Sequence, residues 1–332
     1  MRNAPRLSIC IPTFNRLQYL EGLINSLLPK AKLGCVEVCI SNNHSTDGTG
    51  EYLEKLAQRE GATLKIASQY ENIGIDRNMI AAIAMASGNY IYPLGDDDFL
   101  SGECVDSILE EIERDADLII LNGWHTDSSL SKLRVHLNDS HVGFLTHNPE
   151  MAFKMFWDKM PFGSFIAKRG CFINNYFDRY LNTSHAYTGA VWDALSHIYE
   201  SRGSCTVISM KTPTVLLRGA EKTWRRDAAL IMLREIPHWF ILIAENRIYK
   251  KVVKEIRQDY INSQANLVSL LSFRMTGQLE VKDVPILSLE CSKKQKFQMA
   301  LIAMLPIPIL KVLKALRANI KAFYCPIYNA KD

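Results

Sequence analysis

Apolar positions fall into short runs separated by polar loops over the first third of the chain. Leu7 to Ile11 is an apolar run of strand length. Leu17 to Leu28 follows with Leu20, Leu23, Ile24 and Leu27 at helical spacing. The alternation continues with a strand over Val36 to Ile40 and a helix over Asp47 to Arg59 that turns Tyr52, Leu53 and Leu56 inward. A strand over Thr63 to Ala67 precedes an alanine- and methionine-rich helix over Asp76 to Ala86. Tyr90 to Leu94, Glu103 to Arg114 and Asp117 to Leu121 then read as strand, helix and strand. This pattern predicts an α/β fold with a mostly parallel sheet and helices on both faces.

The remainder is patterned differently. Residues 141–225 read as mixed structure, with Thr183 to Leu195 running into a helix that starts near Gly189 and a strand over Thr212 to Gly219. Residues 227–275 are helical and rich in both charge and leucine. Met299 to Leu316 is apolar, but Pro306 and Pro308 break it and Lys311 and Lys314 interrupt it, which suits an interfacial helix better than a spanning one. The chain therefore divides into 1–225, itself halved at about residue 125, and a helical C-terminal extension over 226–332.

Parallel sheets bind ligands outside the carboxyl ends of their strands, and here each strand runs into a polar loop. The first four are "PTFNR" (Pro12 to Arg16), "SNNHSTDGT" (Ser41 to Thr49), "ENIGIDRN" (Glu71 to Asn78) and "GDDD" (Gly95 to Asp98). Four such loops on one rim make a cleft for a polar, phosphate-bearing ligand. Neither a GxGxxG fingerprint nor a GxxxxGK[ST] loop is present. Asp96, Asp97 and Asp98 are adjacent like charges, and burial worsens their repulsion, so the cluster requires water or a cation. The simpler reading is that they precede a helix capped by Ser101. Asp47 has a structural reading too, as the cap of the helix after it.

Composition narrows the field. The chain has 332 residues, 48% hydrophobic and 22% charged, so it can bury a sizeable core. A net charge of +4, with no zinc finger or basic arm, argues against nucleic acid as a partner. The charge is uneven, however. Lys293, Lys294, Lys296, Lys311, Lys314, Arg317 and Lys321 occupy a stretch without one acidic residue. Eight scattered cysteines with no CxxC pair read as reduced core residues of a cytoplasmic protein. The N-terminus lacks a signal-peptide apolar region, which points away from secretion.

"SICIPTFNR", "ISNNHSTDGT", "NIGIDRN" and "SGNYIYPLGDDD", in this order and at this spacing, resemble the family 2 nucleotide-diphospho-sugar glycosyltransferases of GT-A fold. The resemblance is strong over residues 7 to about 125. "NTSHAYTGAVWD" is similar to bacterial O-antigen sugar transferases, among them abequosyltransferases, which move a dideoxyhexose from a CDP-sugar. It implies a DxD-type site where a divalent cation, Mg²⁺ or Mn²⁺, bridges enzyme carboxylate and donor diphosphate. Gly95 stands where the family's D-x-D-D pattern has its first Asp. Asp98 and Asp97 then take the metal-facing places, with Asp98 the first choice, and Asp96 faces the ribose.

By the same resemblance, residues 126–225 form the acceptor half, and Pro12, Thr13, Asn15, Arg16, Asn42, Asn43, Arg77 and Asn78 contribute to donor binding. Thr13 is placed at the nucleobase, although it equally suits a strand-to-helix turn, and Asn15 and Arg16 equally suit a helix start. Asn42 replaces the family's usual Asp, and its amide is compatible with cytosine, uracil or guanine. Arg77 suits a bidentate phosphate contact as well as it suits a solvated helix face. Asp193 falls at the place of the general base, with His185 as the alternative.

The implied activity is a metal-assisted direct displacement, with inversion, that moves a sugar from a nucleotide-sugar donor onto a lipid-linked saccharide of surface-polysaccharide synthesis. The implied location is cytoplasmic and peripheral on the inner face of the cell membrane. A sugar nucleotidyltransferase is the first rival, but "IPTFNRLQYL" lacks the Gly-rich basic loop it needs. A non-catalytic sugar-nucleotide-binding scaffold is the second, and it has no reason to keep a costly carboxylate cluster.

Overall fold

The computed structural model describes residues 5–60, 64–131, 133–138, 141–172, 175–219 and 227–310. The chain forms two compact units: Met1–Lys222 with Ile241–Lys254, and Thr223–Phe240 with Glu255–Asp332. The return of Ile241–Lys254 to the first unit was not anticipated.

The first unit is built on β1 (Leu7–Thr13), α1 (Leu17–Lys32), β2 (Val36–Asn42), α2 (Thr49–Glu60), β3 (Leu64–Ser68), α3 (Gly74–Ala84), β4 (Tyr90–Pro93) and α4 (Gly102–Glu111). It continues with β5 (Leu118–Thr126), β6 (Leu133–His136), β7 (Leu145–Thr146), α5 (Pro149–Phe156), β8 (Phe165–Lys168), α6 (Ala186–Arg202) and β9 (Val207–Leu217). The strands form one nine-stranded sheet in the order β3-β2-β1-β4-β8-β5-β9-β7, with β6 on β5. The β3-β2-β1-β4 half is parallel throughout. β8 enters antiparallel between β4 and β5, and β5 pairs with β9 in parallel. The second half is therefore mixed.

Every residue of β1 and β2 is buried, as expected of strands covered on both faces. Leu20, Leu23, Ile24 and Leu27 of α1 pack into the same core as Leu53 and Leu56 of α2 and Val105, Ile108 and Leu109 of α4. Ser101 caps α4 by accepting from the Cys104 amide, as its sequence position suggests.

The second unit has its own apolar core. Its helices include α7 (Ala228–Leu230), α10 (Leu267–Met275), α11 (Val284–Leu287) and α12 (Lys293–Met304), while α8 (Ile236–Ala244) and α9 (Lys250–Gln264) straddle the division. Met299, Ile302 and Ala303 of α12 join Leu270 and Phe273 of α10 and Leu287 of α11 in that core. Among the described residues no helix is long and apolar enough to cross a membrane. Lys311, Lys314, Arg317 and Lys321 of the predicted basic segment lie outside the described residues.

Candidate active site

The carboxyl ends of β1, β2 and β4 lie side by side, with Pro12 opposite Ser41 and Thr13 opposite Asn42. Polar side chains lace the loops beyond them. Asn15, at φ 52°, accepts from the Thr46 amide through Oδ1 at 2.7 Å and donates its own amide to Ser45 Oγ at 2.9 Å. Asn43 donates through Nδ2 to Asn72 at 2.8 Å and accepts from the Ile73 amide at 2.9 Å. Asp47 caps α2 through Thr49 and also takes the Leu17 amide at 3.0 Å. Its predicted capping role thus extends to the start of α1.

Two predicted donor-binding residues turn out to point in opposite directions. Arg77 is exposed on α3. Asn78 is buried, donates to the Ser41 carbonyl at 3.1 Å and accepts from Ser41 Oγ at 2.7 Å. Its amide is spent on tying α3 to the strand ends. Asn42 uses Oδ1 to accept from the Ser45 amide at 3.2 Å.

The aspartate loop is a tight turn, with the Asp98 amide on the Gly95 carbonyl. A Cβ added at Gly95 would meet Asp98 Oδ2 at 2.6 Å and Asp97 Oδ1 at 3.2 Å. A side chain at 95, including the family's Asp, therefore cannot coexist with this placement of Asp98. Gly163, at φ +82°, approaches the same oxygen from the other side, at 2.9 Å from a built Cβ.

Two arginines meet the loop, one at its carboxylates and one at its backbone. Arg16 Nη1 lies 3.1 Å from Asp96 Oδ1 and 2.9 Å from Asp97 Oδ2. Arg218, just past β9, donates its amide to Asp98 Oδ1 at 3.0 Å and its Nε to the Asp97 carbonyl at 2.7 Å. Its guanidinium sits 5.1 Å from the centre of the Tyr19 ring. Burial pushes Asp96 up to about 6 despite Arg16, and Asp97 adds to the rise. Thr13 Oγ1 is buried close enough to Asp96 to favour its charged form, yet no well-directed hydrogen bond reaches it. Arg218 was not singled out from the sequence. The sequence reading put it inside a strand over Thr212 to Gly219, whereas β9 ends at Leu217 and leaves Arg218 on the rim.

The start of α6 comes to this rim through Asp76 of α3. Asp76 accepts from the amides of Thr183 at 3.2 Å, Ser184 at 3.1 Å and Ala186 at 3.2 Å. Burial raises its carboxyl, and these amides oppose the rise. An acid from another helix thus caps α6, so the helix begins at Ala186, earlier than the Gly189 read from the sequence. His185 occupies the cap position. Its Nδ1 lies 3.2 Å from the Thr183 carbonyl, and burial lowers its basicity. Its ring stacks near Tyr187, which in turn stacks on Phe162 beside Gly163. Tyr187 thus pairs with both His185 and Phe162, and Gly163, next in sequence to Phe162, lies against Asp98.

Asp193 is placed elsewhere. It is 4% exposed, with Oδ2 accepting from Tyr180 at 2.8 Å and facing Arg179 at 3.2 Å. Oδ1 lies 3.4 Å from Asn246 Nδ2. Burial raises its carboxyl, and Tyr180, Arg179 and Asn246 hold the charge against that. Its carboxylate is thus enclosed by three protein donors.

No group of three or more His, Cys, Asp or Glu among the described residues is arranged to hold a metal by itself. The aspartate loop nevertheless fits a cation that brings most of its ligands along. Mg²⁺ takes one or two carboxylates with substrate phosphates and water. Arg16 is shared between Asp96 and Asp97 and the Arg218 guanidinium goes to carbonyls, so the loop has room for that charge. Asp97 is the least covered of the three, with 12% of its side chain exposed.

Similarity to known proteins agrees with this geometry. The model of the family "Glycosyl transferase family 2" matches residues 8–177, more than half of the chain. Abequosyltransferase RfbV of Salmonella typhimurium strain LT2 is 33% identical over 129 residues, 39% of each chain. Hyaluronan synthase of Pasteurella multocida is 35% identical over 118 residues, 36% of this chain and 12% of that one. These matches span well under half the length of either relative. The crystal structure of S. aureus TarS 1-349 superposes with a TM-score of 0.55 over 90% of both chains at 15% identity, a likeness of fold. The same TarS fragment has been solved with UDP-GlcNAc, at a TM-score of 0.54 over 90% of both chains and 14% identity. A parallel β3-β2-β1-β4 rim, a carboxylate loop after β4 and a family match running through both halves of the first unit lead to one assignment: this chain belongs to glycosyl transferase family 2.

Proposed function

We propose that the chain transfers a sugar from a nucleoside-diphosphate donor to a lipid-linked saccharide acceptor in O-antigen-type synthesis. The observation that carries this reading is the aspartate loop at the strand ends, with Arg16 on the carboxylates of Asp96 and Asp97 and Arg218 bracing the turn. Asp97 and Asp98 would hold a divalent cation, which when bound supplies stabilisation of the charge on the leaving diphosphate. Asp96 would face the ribose in this reading. His185 is the general base of this proposal. An Nδ1–H directed at the Thr183 carbonyl makes Nε2 the basic nitrogen, and burial keeps the ring neutral at pH 7. Nε2 takes the acceptor hydroxyl proton as that oxygen attacks the anomeric carbon and the nucleoside diphosphate departs. Asp193 holds the frame of α6.

Asn42 bears on the choice of base. With Oδ1 already accepting from the Ser45 amide, the N–H donors are the more available side of the amide for a ligand. Cytosine accepts at N3 where uracil donates, so CDP suits it better than UDP. In a thermal-shift panel with Mn²⁺, CDP is expected to raise the melting temperature more than UDP, GDP or dTDP. A ligand at 100 times its Kd contributes about 2.7 kcal/mol. No shift with any of the four would overturn the donor reading.

The membrane is the proposed meeting place with the acceptor. α12 buries one face, while Phe297, Leu301 and Met304 stand exposed on the other, followed by exposed Leu305. Lys293 and Lys294 at its start are exposed as well. This combination suits shallow insertion into an anionic leaflet. Removing the segment would strip Met299 and Ile302 from the unit's core, so substitution is the sounder probe. Phe297→Ser with Leu301→Ser is expected to weaken binding to phosphatidylglycerol-containing vesicles about a hundredfold or more by co-sedimentation, two apolar anchors being lost. Unchanged sedimentation, or none by the unsubstituted protein, would refute it.

A further inference from the structure

We infer that Arg16 occupies the cation's place in the donor-free protein and couples metal binding to nucleotide binding. The inference rests on the metal and donor reading above. One nitrogen, Nη1, is shared between two carboxylates of the loop, 3.1 Å from Asp96 Oδ1 and 2.9 Å from Asp97 Oδ2. The pair is partly desolvated, with 15% of the Arg16 side chain and 8% of the Asp96 side chain exposed. A divalent cation approaching Asp97 Oδ2 meets a like charge already seated there.

Arg218 does not play this part. Its side chain goes to the carbonyls of Asp97 and Ser128 and to the Tyr19 ring, and only its backbone amide reaches a carboxylate, that of Asp98. It braces the loop without contesting the carboxylates. Arg16 is the N-cap residue of α1, with φ −141° and ψ 32°, and its side chain makes no cap hydrogen bond. A diphosphate arriving at the strand ends offers its guanidinium fork a bidentate partner. Moving Arg16 onto phosphate leaves Asp97 to the cation, and the cation in turn favours the phosphate. Each ligand therefore tightens the other by the same factor.

The test is Mn²⁺ titration followed by electron paramagnetic resonance, with any Mn²⁺–nucleotide complex in buffer subtracted. The probes are Mn²⁺ alone and Mn²⁺ with saturating CDP. The unsubstituted protein is expected to bind Mn²⁺ about tenfold or more tightly with CDP than without, within the usual range of coupling. Arg16→Met is expected to bind Mn²⁺ alone about tenfold more tightly than the unsubstituted protein, and to gain less from CDP. Equal or weaker Mn²⁺ affinity in a folded Arg16→Met protein overturns the inference. Should that variant not fold, equal Mn²⁺ affinity with and without CDP in the unsubstituted protein overturns it. Failure of CDP to bind at all sinks the choice of donor instead, while the Mn²⁺-only comparison of the two proteins still reads Arg16.

Discussion

Asp97→Asn is expected to abolish turnover while leaving the protein folded. The substitution keeps the side chain's shape and removes one charge from the least covered carboxylate of the loop. Nucleotide binding should lose its dependence on Mn²⁺ and fall to the level seen in chelator. A loss of about 3 kcal/mol or more in transition-state stabilisation, beyond a hundredfold in kcat/KM, is the scale for removing a metal ligand's charge. Asp98→Ala should be equally inactive but less stable. Asp98 is buried and accepts the Arg218 amide, and losing a partner leaves that donor unsatisfied at a cost of about 1–3 kcal/mol. The comparison separates the two aspartates. If Asp97→Asn retains wild-type turnover while Asp98→Ala is dead at unchanged Mn²⁺ affinity, neither is a metal ligand. The loop would then act only by position.

The rim of this site was legible in the sequence because it depends on local pattern. Buried strands of a parallel sheet read as apolar runs, and the residues that follow them had to be the polar loops. Pro12 to Arg16, Asn42, Asn43 and Asp96 to Asp98 were found that way, and the structure brings them together. The second half was less legible for three physical reasons. β8 enters antiparallel between β4 and β5, a pairing set by long-range topology. α6 is capped by Asp76 from a helix more than a hundred residues earlier, so its start carries no local signal. Asp193 has partners drawn from Arg179, Tyr180 and Asn246, and a carboxylate's enclosure cannot be read from its neighbours in sequence. Gly95, by contrast, looked like a defect in an acidic motif. The structure gives it a reason, since the Asp98 carboxylate fills the space a side chain would need.

That enclosure sets up the sharpest contrast. Asp193→Asn should lower stability, with kcat of the folded protein little changed. It removes the charge facing Arg179, which keeps Glu245 and the Leu242 carbonyl as partners, and it weakens the acceptor for Tyr180. Because Arg179 is partly exposed, the expected loss is about 2 kcal/mol, below the range for a fully buried pair. His185→Ala should do the reverse. Donor affinity and melting temperature should stay close to wild type, while kcat falls ~10²–10⁴-fold, the usual worth of a general base. The pH profile supplies an independent check. A base must be unprotonated to act, so kcat should rise with pH through the His185 pKa and level off above it. Burial places that pKa below the ordinary imidazole value, so the plateau should already be reached at pH 7. In His185→Gln this acidic limb should vanish along with most of the rate. If His185→Ala keeps its kcat and its acidic limb, or if Asp193→Asn loses kcat at an unchanged melting temperature, the proton goes to Asp193. The Tyr180–Arg179–Asn246 enclosure would then have to open when the acceptor binds, and an acceptor-induced change in Tyr180 fluorescence would register that opening.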